Sequence, residues 1–380
     1  MKIGITCYPV MGGSGIVATE LGMALAARGH QVHFISYALP FRLDRFRENV
    51  FFHEVEVSSY PLFKYPPYTE SLAAKMADVV CRWKLDLLHV HYAIPHAPAA
   101  FLAKQIARDC RIRVITTLHG TDVTLVGSER SFFEITKFSI NESDGVTAVS
   151  EAIKKQTISL FGLDKHIEVI YNFVNTELFK PDSNLCLRLP FTQDEHKIIM
   201  HLSNFRPVKR TADVVEIFRL LHEQVKSKLV LIGDGPDLSL VEHMAKEYRV
   251  DDDVIFLGSQ DSVESILPAA DLFLLPSQTE SFGLAALEAM SCGVPVIASR
   301  TGGLPEVVTH GLDGYLYEVG DVASMGKAAV ELLQDNTKLA QMKAAARATA
   351  VNRFASDLLV KQYEDYYLSV ITTKGNGNSG

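Results

Sequence analysis

The chain has no CxxC pair, and its five cysteines, Cys7, Cys81, Cys110, Cys186 and Cys292, are odd in number and widely spaced. That pattern speaks against a disulfide framework or a zinc site and reads as reduced, mostly buried thiols in the cytoplasm. No apolar run approaches ~18 residues, so no membrane span is expected, and no charged-then-apolar leader precedes the strand-like KIGITCY. Positive charge is not in excess. With 37 Lys and Arg against 45 Asp and Glu, the net charge of −8 argues against a nucleic-acid groove or a stable association with an anionic membrane. There is no repeat of solenoid length, and only the tail, 371–380, is biased enough in composition to predict disorder.

What remains is an ordinary globular composition, 47% apolar and 22% charged, spread over 380 residues. That is too long for one core and suits two domains of roughly 150–200 residues. Strand-like runs at 2–7, 31–37, 86–90, 113–117, 145–148, 167–170, 197–202, 228–232, 253–257, 271–275 and 294–298 alternate with helical patterns. The helical patterns lie at 17–29, 70–83, 96–108, 151–161, 211–226, 237–249 and 321–334. Near-continuous apolar strands alternating with helices predict parallel sheets covered on both faces. Eleven strands would make one sheet exceptionally wide, so the expected fold is α/β with two doubly wound, Rossmann-like domains and a cleft between them. The seam is expected near 172–183, giving domains 1–170 and 171–353, followed by a helix at 354–370 beyond any strand.

In such sheets ligands sit beyond the carboxyl ends of the strands, so the loops there are where chemistry is sought. The first loop carries Gly12, Gly13, Ser14 and Gly15 ahead of a helix, which lets backbone approach a ligand. Gly13-x-Gly15-x-x-Ala18 formally fits a dinucleotide fingerprint. The long lead-in and a second strand ending at Ser36, with no acid for a ribose, speak against NAD. The second loop, TTLHGTD at 116–122, sets His119 between hydroxyls and a glycine at a strand end. The third, SNFRPVKR at 203–210, gathers Arg206, Lys209 and Arg210 where cations could neutralise a leaving diphosphate. The fourth, PSQTESFGLAALEAM at 276–290, predicts a helix from about Phe282 whose bare amides face an anion. Glu280 precedes that helix and Glu288 lies almost two turns inside it, which suits two separate acceptors for the hydroxyls of a polyhydroxy ligand. The plainer alternatives are a Ser277–Glu280 capping box and a solvated helix glutamate at 288. Asp251, Asp252 and Asp253 read as a solvated turn, Gly302-Gly303 as a strand-to-helix connection, and no metal-ligand cluster is evident.

The fourth loop, continued as GLAALEAMSCGVPVIAS, resembles the signature of the retaining GT-B glycosyltransferases with an E-x7-E motif, family 4 in type. VLIGDGP at 230–236, VIFLG at 254–258 and SDGVTAVSEAIKK at 143–155 are similar to that family in the same order. The resemblance implies a nucleotide sugar held mainly by the second domain, an acceptor held by the first, and a C-terminal helix crossing back to the first. Carried over by position, Glu288 would hold the ribose and Glu280 the donor sugar. The diphosphate would lie on the amides of Gly283 and Leu284, with Arg206 and Lys209, and Gly13, Ser281 and Phe282 would also serve the donor. Gly258, Ser259 and Gln260 would meet the base, and His119 would stand beside the reacting sugar. The family usually has Gly-Arg where this chain has Ser203-Asn204, with an arginine two places on at Arg206.

The first half narrows the likeness. ITCYPVMGGSGIVATELG, HVHYAIPHAPAA, TTLHGTDVT, YNFVN and HLSNFRPVKR resemble the branch that transfers N-acetylglucosamine from UDP-N-acetylglucosamine to L-malate, opening bacillithiol biosynthesis. Ser14, Tyr92, Thr117, His119, Lys137, Asn204 and Arg206 would then serve the acceptor. The implied enzyme is a metal-independent cytoplasmic hexosyltransferase with small-molecule substrates and no further cofactor; homo-oligomerisation is compatible with the sequence. A different acceptor on the same fold is the nearest rival, and an NAD-dependent oxidoreductase is a rival of another class.

Overall fold

A computed structural model of the chain describes residues 1–10, 12–43, 46–57, 61–182 and 196–373. Cys186 and the tail from Lys374 lie outside the described residues. The chain forms two units, Met1–Asn172 with Ser356–Gly380, and Phe173–Ala355.

The first unit is built on seven parallel strands: β1 Lys2–Thr6, β2 Gln31–Ser36, β3 Val50–Glu54, β4 Leu87–His91, β5 Arg113–Leu118, β6 Gly145–Ala148 and β7 Glu168–Val169. Their spatial order is 3-2-1-4-5-6-7. The second unit carries six: β8 Lys197–Leu202, β9 Ser227–Ile232, β10 Val254–Gly258, β11 Leu272–Leu275, β12 Val296–Ser299 and β13 Gly314–Tyr317, in the order 10-9-8-11-12-13. All pairs are parallel. In both sheets the order reverses beside the first strand, which opens a crevice at the carboxyl ends.

The strands form because both of their faces are covered. LLHVH of β4 and LFLL of β11 are buried along their whole length, so they read as continuous runs rather than alternations. Helices start and stop where local chemistry directs. Ser150 accepts from the Ile153 amide to start Glu151–Phe161, and Gly162 in a left-handed conformation ends it. In the second unit Val214, Val215 and Phe218 of the helix Thr211–His222 pack with Leu229 and Leu231 of β9 and with Leu332.

Three departures from the sequence expectations stand out. β3 and β13 had no counterpart among the predicted strands: both are edge strands, β3 only partly buried and β13 beginning with glycine. A helix with no counterpart in the sequence expectations, Asn336–Phe354, precedes the one expected at 354–370, which runs Ser356–Thr372; Ala355 between them takes an extended conformation and bridges Val174. The first belongs to the second unit and the last to the first unit. The third departure corrects the expectation of free thiols, since Cys81 and Cys110 are disulfide-bonded with Cα atoms 5.8 Å apart. Cys81 is exposed near the end of the helix Tyr68–Trp83, and nothing in a 29-residue spacing signals that the fold brings it to Cys110. Cys7 and Cys292 are buried free thiols, as expected.

Candidate active site

In the first unit four histidines converge below the carboxyl ends of β4 and β5. His89 and His91 stand two apart on β4 and so share a face, and the register sets His91 opposite Thr117 of β5. His89 joins the Thr117 hydroxyl through Nε2 (2.6 Å) and the Tyr367 hydroxyl of the last helix through Nδ1 (2.7 Å). His91 Nδ1 meets His119 Nε2 at 2.8 Å, and His96 Nδ1 donates to the His91 carbonyl at 2.6 Å. Three of these rings are fully buried and His119 is 7% exposed. Burial, with the other histidines adding, lowers the pKa of His89 and His119 to about 3 and drives that of His91 well down. Burial also lowers His96 to about 4, against its backbone hydrogen bond. The cluster is therefore neutral at physiological pH.

Asp122, also fully buried, ties two loops together. Its carboxylate accepts from the amides of Ala93 (2.8 Å), Gly120 (2.8 Å) and His119 (3.1 Å). Desolvation raises its pKa to about 6, in opposition to those three donors. Tyr92 follows β4 with a φ of +91°, a conformation that costs a bulky residue about 1–3 kcal/mol and is characteristic of functional loops. Its amide donates to Thr117 (3.0 Å), and its ring stacks on His119 with centroids 5.5 Å apart. Tyr92 and His119, both expected at the acceptor, thus stand together.

Thr117 corrects an expectation. Rather than facing an acceptor it is fully buried, its hydroxyl engaged by His89 and Thr147 inside the sheet. Gly13 is exposed and Ser14 half-buried at the start of the helix Gly13–Ala27, and the β2 tip turns the Ser36 hydroxyl back to the Cys7 carbonyl. Lys137 is half-buried on the helix Phe133–Glu142, with no described contact to His119. His89, His91, His96 and Asp122 were assigned no role from sequence, although H-x-H on a strand before a tight loop already sets two imidazoles on one face.

In the second unit the loop after β8 turns on Phe205. Its ring is fully buried and its φ is +37°, while Asn204 and Arg206 on either side are exposed. Burying the ring contributes about 1.5–3 kcal/mol, enough to offset a strained backbone of similar cost. The Ser203 hydroxyl accepts from the Phe205 amide (3.2 Å) and pairs with His201 Nε2 (2.8 Å). Lys209, three residues after Arg206, extends Nζ to Glu280 Oε1 at 2.6 Å, and the Ser277 hydroxyl donates to the same oxygen at 2.9 Å. Ser277 thus serves the Glu280 side chain instead of capping a helix.

The 276–283 loop is clamped from two sides. The Gln278 amide donates to the Val208 carbonyl (2.8 Å) and the Gly303 amide to the Glu280 carbonyl (2.9 Å). Gly302 has a φ of +52°, and a Cβ there would stand 1.8 Å from the Glu280 carbonyl oxygen. The glycine pair that reads as a simple connection is what lets this loop sit where it does. The helix begins at Leu284, two residues later than expected, behind Gly283 at φ +100°. Phe282 is buried and Ser281 half-buried; Glu288 is only 6% exposed rather than solvated. Beside it, burial pushes the Cys292 thiol up to about 12, with Glu288 adding, which makes that thiol inert. Gly258 accepts from the Gly233 amide (2.8 Å), Ser259 is exposed, and the Gln260 side-chain amide donates to the Leu257 carbonyl (2.6 Å). The triplet 251–253 is a short turn ahead of β10.

Lys209, Ser277 and Glu280 thus form one polar cluster, with the exposed Arg206 nearby in sequence. It can pair a cation with an anionic leaving group while a carboxylate accepts from hydroxyls. Among the described residues no three or more His, Cys, Asp or Glu side chains are grouped to hold a metal ion.

Comparison with known proteins matches residues 11–178 to the model of Glycosyltransferase Family 4 and residues 190–349 to that of Glycosyl transferases group 1. The chain is 48% identical to the N-acetyl-alpha-D-glucosaminyl L-malate synthase of Bacillus anthracis, over 99% of each chain. It is 28% identical to the D-inositol 3-phosphate glycosyltransferase of Mycolicibacterium smegmatis, over 74% of this chain and 62% of that one. Its fold is similar to that of Anabaena HepE in complex with UDP and glucose, with a TM-score of 0.83 at 21% identity, covering 97% of this chain and all of the other.

Proposed function

The chain belongs to the family 4 glycosyltransferases, and we propose that it transfers N-acetylglucosamine from UDP-N-acetylglucosamine to the hydroxyl of L-malate. The observation that carries this reading is the 48% identity, end to end, to a synthase named for that product. The products are α-linked N-acetylglucosaminyl malate and UDP, the first step of bacillithiol biosynthesis, made in the cytoplasm.

In this reading the second unit holds the donor. Glu288 takes the ribose, Glu280 the sugar hydroxyls, and Lys209 with Arg206 the diphosphate. The Lys209–Glu280 pair supports this, because a diphosphate arriving at Lys209 meets a cation already held in place by a carboxylate. The malate hydroxyl attacks the anomeric carbon on the face from which UDP departs, and a leaving phosphate oxygen takes the hydroxyl proton. The new C–O bond forms as the old one breaks, so configuration is retained without a carboxylate nucleophile. Stabilising the charge that grows on the diphosphate supplies most of the rate. Lys209 and Arg206, not a divalent cation, do this, so turnover should survive excess chelator.

UDP release from UDP-N-acetylglucosamine, measured with and without malate, tests the reading, and proton NMR of the product reports its anomeric configuration. Malate-dependent release with an α-anomeric product is expected. Donor binding with no response to malate would overturn the acceptor assignment. D-inositol 3-phosphate is the first alternative to assay, given the mycobacterial relative.

A further inference from the structure

We infer that His91 is a positioning residue that fixes the tautomer of His119, so that His119 offers a neutral Nδ1–H donor to an oxygen of the ligand. The inference rests on the reading of His119 as the ligand-facing group of the first unit. Its geometric basis is independent of any substrate.

The two rings share one hydrogen bond, His91 Nδ1 to His119 Nε2 at 2.8 Å, with centroids 5.1 Å apart. Each neutral imidazole has one N–H and one bare nitrogen, so that bond can be made in only two ways. In the first, His119 Nε2–H donates to His91 Nδ1. His91 must then carry its own proton on Nε2, which is buried and has no hydrogen-bond partner. In the second, His91 Nδ1–H donates to His119 Nε2, and the buried His91 Nε2 is a bare lone pair. An orphaned buried N–H is the rarer and costlier defect, whereas an under-satisfied acceptor is tolerated more often. The second arrangement wins.

Its consequence falls on His119. With Nε2 accepting from His91, the remaining proton sits on Nδ1, the nitrogen left for a ligand on a side chain that keeps 7% exposure. His119 then donates to a sugar, malate or phosphate oxygen and cannot act as the general base for the acceptor hydroxyl. Three contacts hold the relay rigid: His96 anchors the His91 carbonyl, Asp122 holds the His119 amide, and Tyr92 stacks on the His119 ring. A positive charge on either ring is disfavoured because His89 and His96 crowd the same pocket.

Long-range 15N–1H correlation spectra of the full chain labelled at histidine, recorded without substrate, test this directly. His119 should show a protonated Nδ1 and a bare Nε2, and His91 likewise. His91→Phe removes the donor, and His119 should then change tautomer while kcat falls by about tenfold or more. His91→Asn, whose amide can donate near the position of Nδ1, should restore both the His119 spectrum and most of the activity. A wild-type His119 protonated on Nε2, or on both nitrogens, would overturn the proposal even if His91→Phe failed to fold. So would a folded His91→Phe protein with an unchanged His119 spectrum. If no donor and acceptor pair gives turnover, the spectra still decide the tautomer, and only the functional reading fails.

Discussion

Acidification should unfold the first unit well before carboxylate chemistry alone would require it. His89, His91, His96 and His119 are neutral in the folded unit, with pKa values of about 3 and 4 for three of them and a strong lowering for His91. In the unfolded chain each titrates near 6.5. Their folded pKa values are depressed, so the stability they permit is whole above about 6.5 and is lost as pH falls towards 3–4. Asp122 works the other way: its folded pKa of about 6 lies above its unfolded value, so it binds an extra proton on folding between about pH 4 and 6. From pH 7 to pH 5 the four histidines cost roughly 7–8 kcal/mol and Asp122 returns about 1, a net loss of about 6 kcal/mol. That is comparable to the whole stability of a typical domain, ~5–15 kcal/mol. The chain carries its own probe, since its single tryptophan, Trp83, lies in the first unit against His33 and Phe51. Urea titrations followed by the Trp83 emission maximum should show the midpoint collapsing between pH 7 and 5. An unchanged midpoint over that range would refute the claim that these imidazoles stay neutral.

Other expectations follow from the second unit and from the disulfide. Lys209→Ala should lower kcat in the UDP-release assay by about 10²–10³ if its charge serves the leaving group. Gly302→Ala places a methyl against the Glu280 carbonyl at a positive φ and should cost about 2–4 kcal/mol in unfolding free energy and weaken donor binding, read by calorimetry. Cys81→Ser should lower the stability of the first unit by about 3–4 kcal/mol under oxidising conditions, as expected for releasing a loop of this length, and by nothing in reductant.

Much of this was legible in the sequence because it is carried by period and punctuation. LLHVH and LFLL declare buried strands, and PSQTESFGLAALEAM declares a loop entering a helix. What was illegible depends on distant partners. Val50–Glu54 is a strand because β2 lies beside it, and Cys81 meets Cys110 because two helical segments pack. Thr117 looked like an acceptor ligand because it ends a strand, but pairing sets it against His89 and Thr147. Gly302 looked like a connector, since nothing local reveals that its missing side chain makes room for the carbonyl of Glu280.

The discontinuity of the first unit has a consequence for synthesis. Its final helix supplies Glu364 to His30 and Tyr367 to His89, so those partners are translated about 200 residues after the rest of the unit. At about 5–20 residues per second that is a delay of roughly 10–40 s. During it the uninterrupted segment 173–355 is synthesised. The first unit, begun before the second, is therefore completed after it, and its histidine pocket waits for Tyr367.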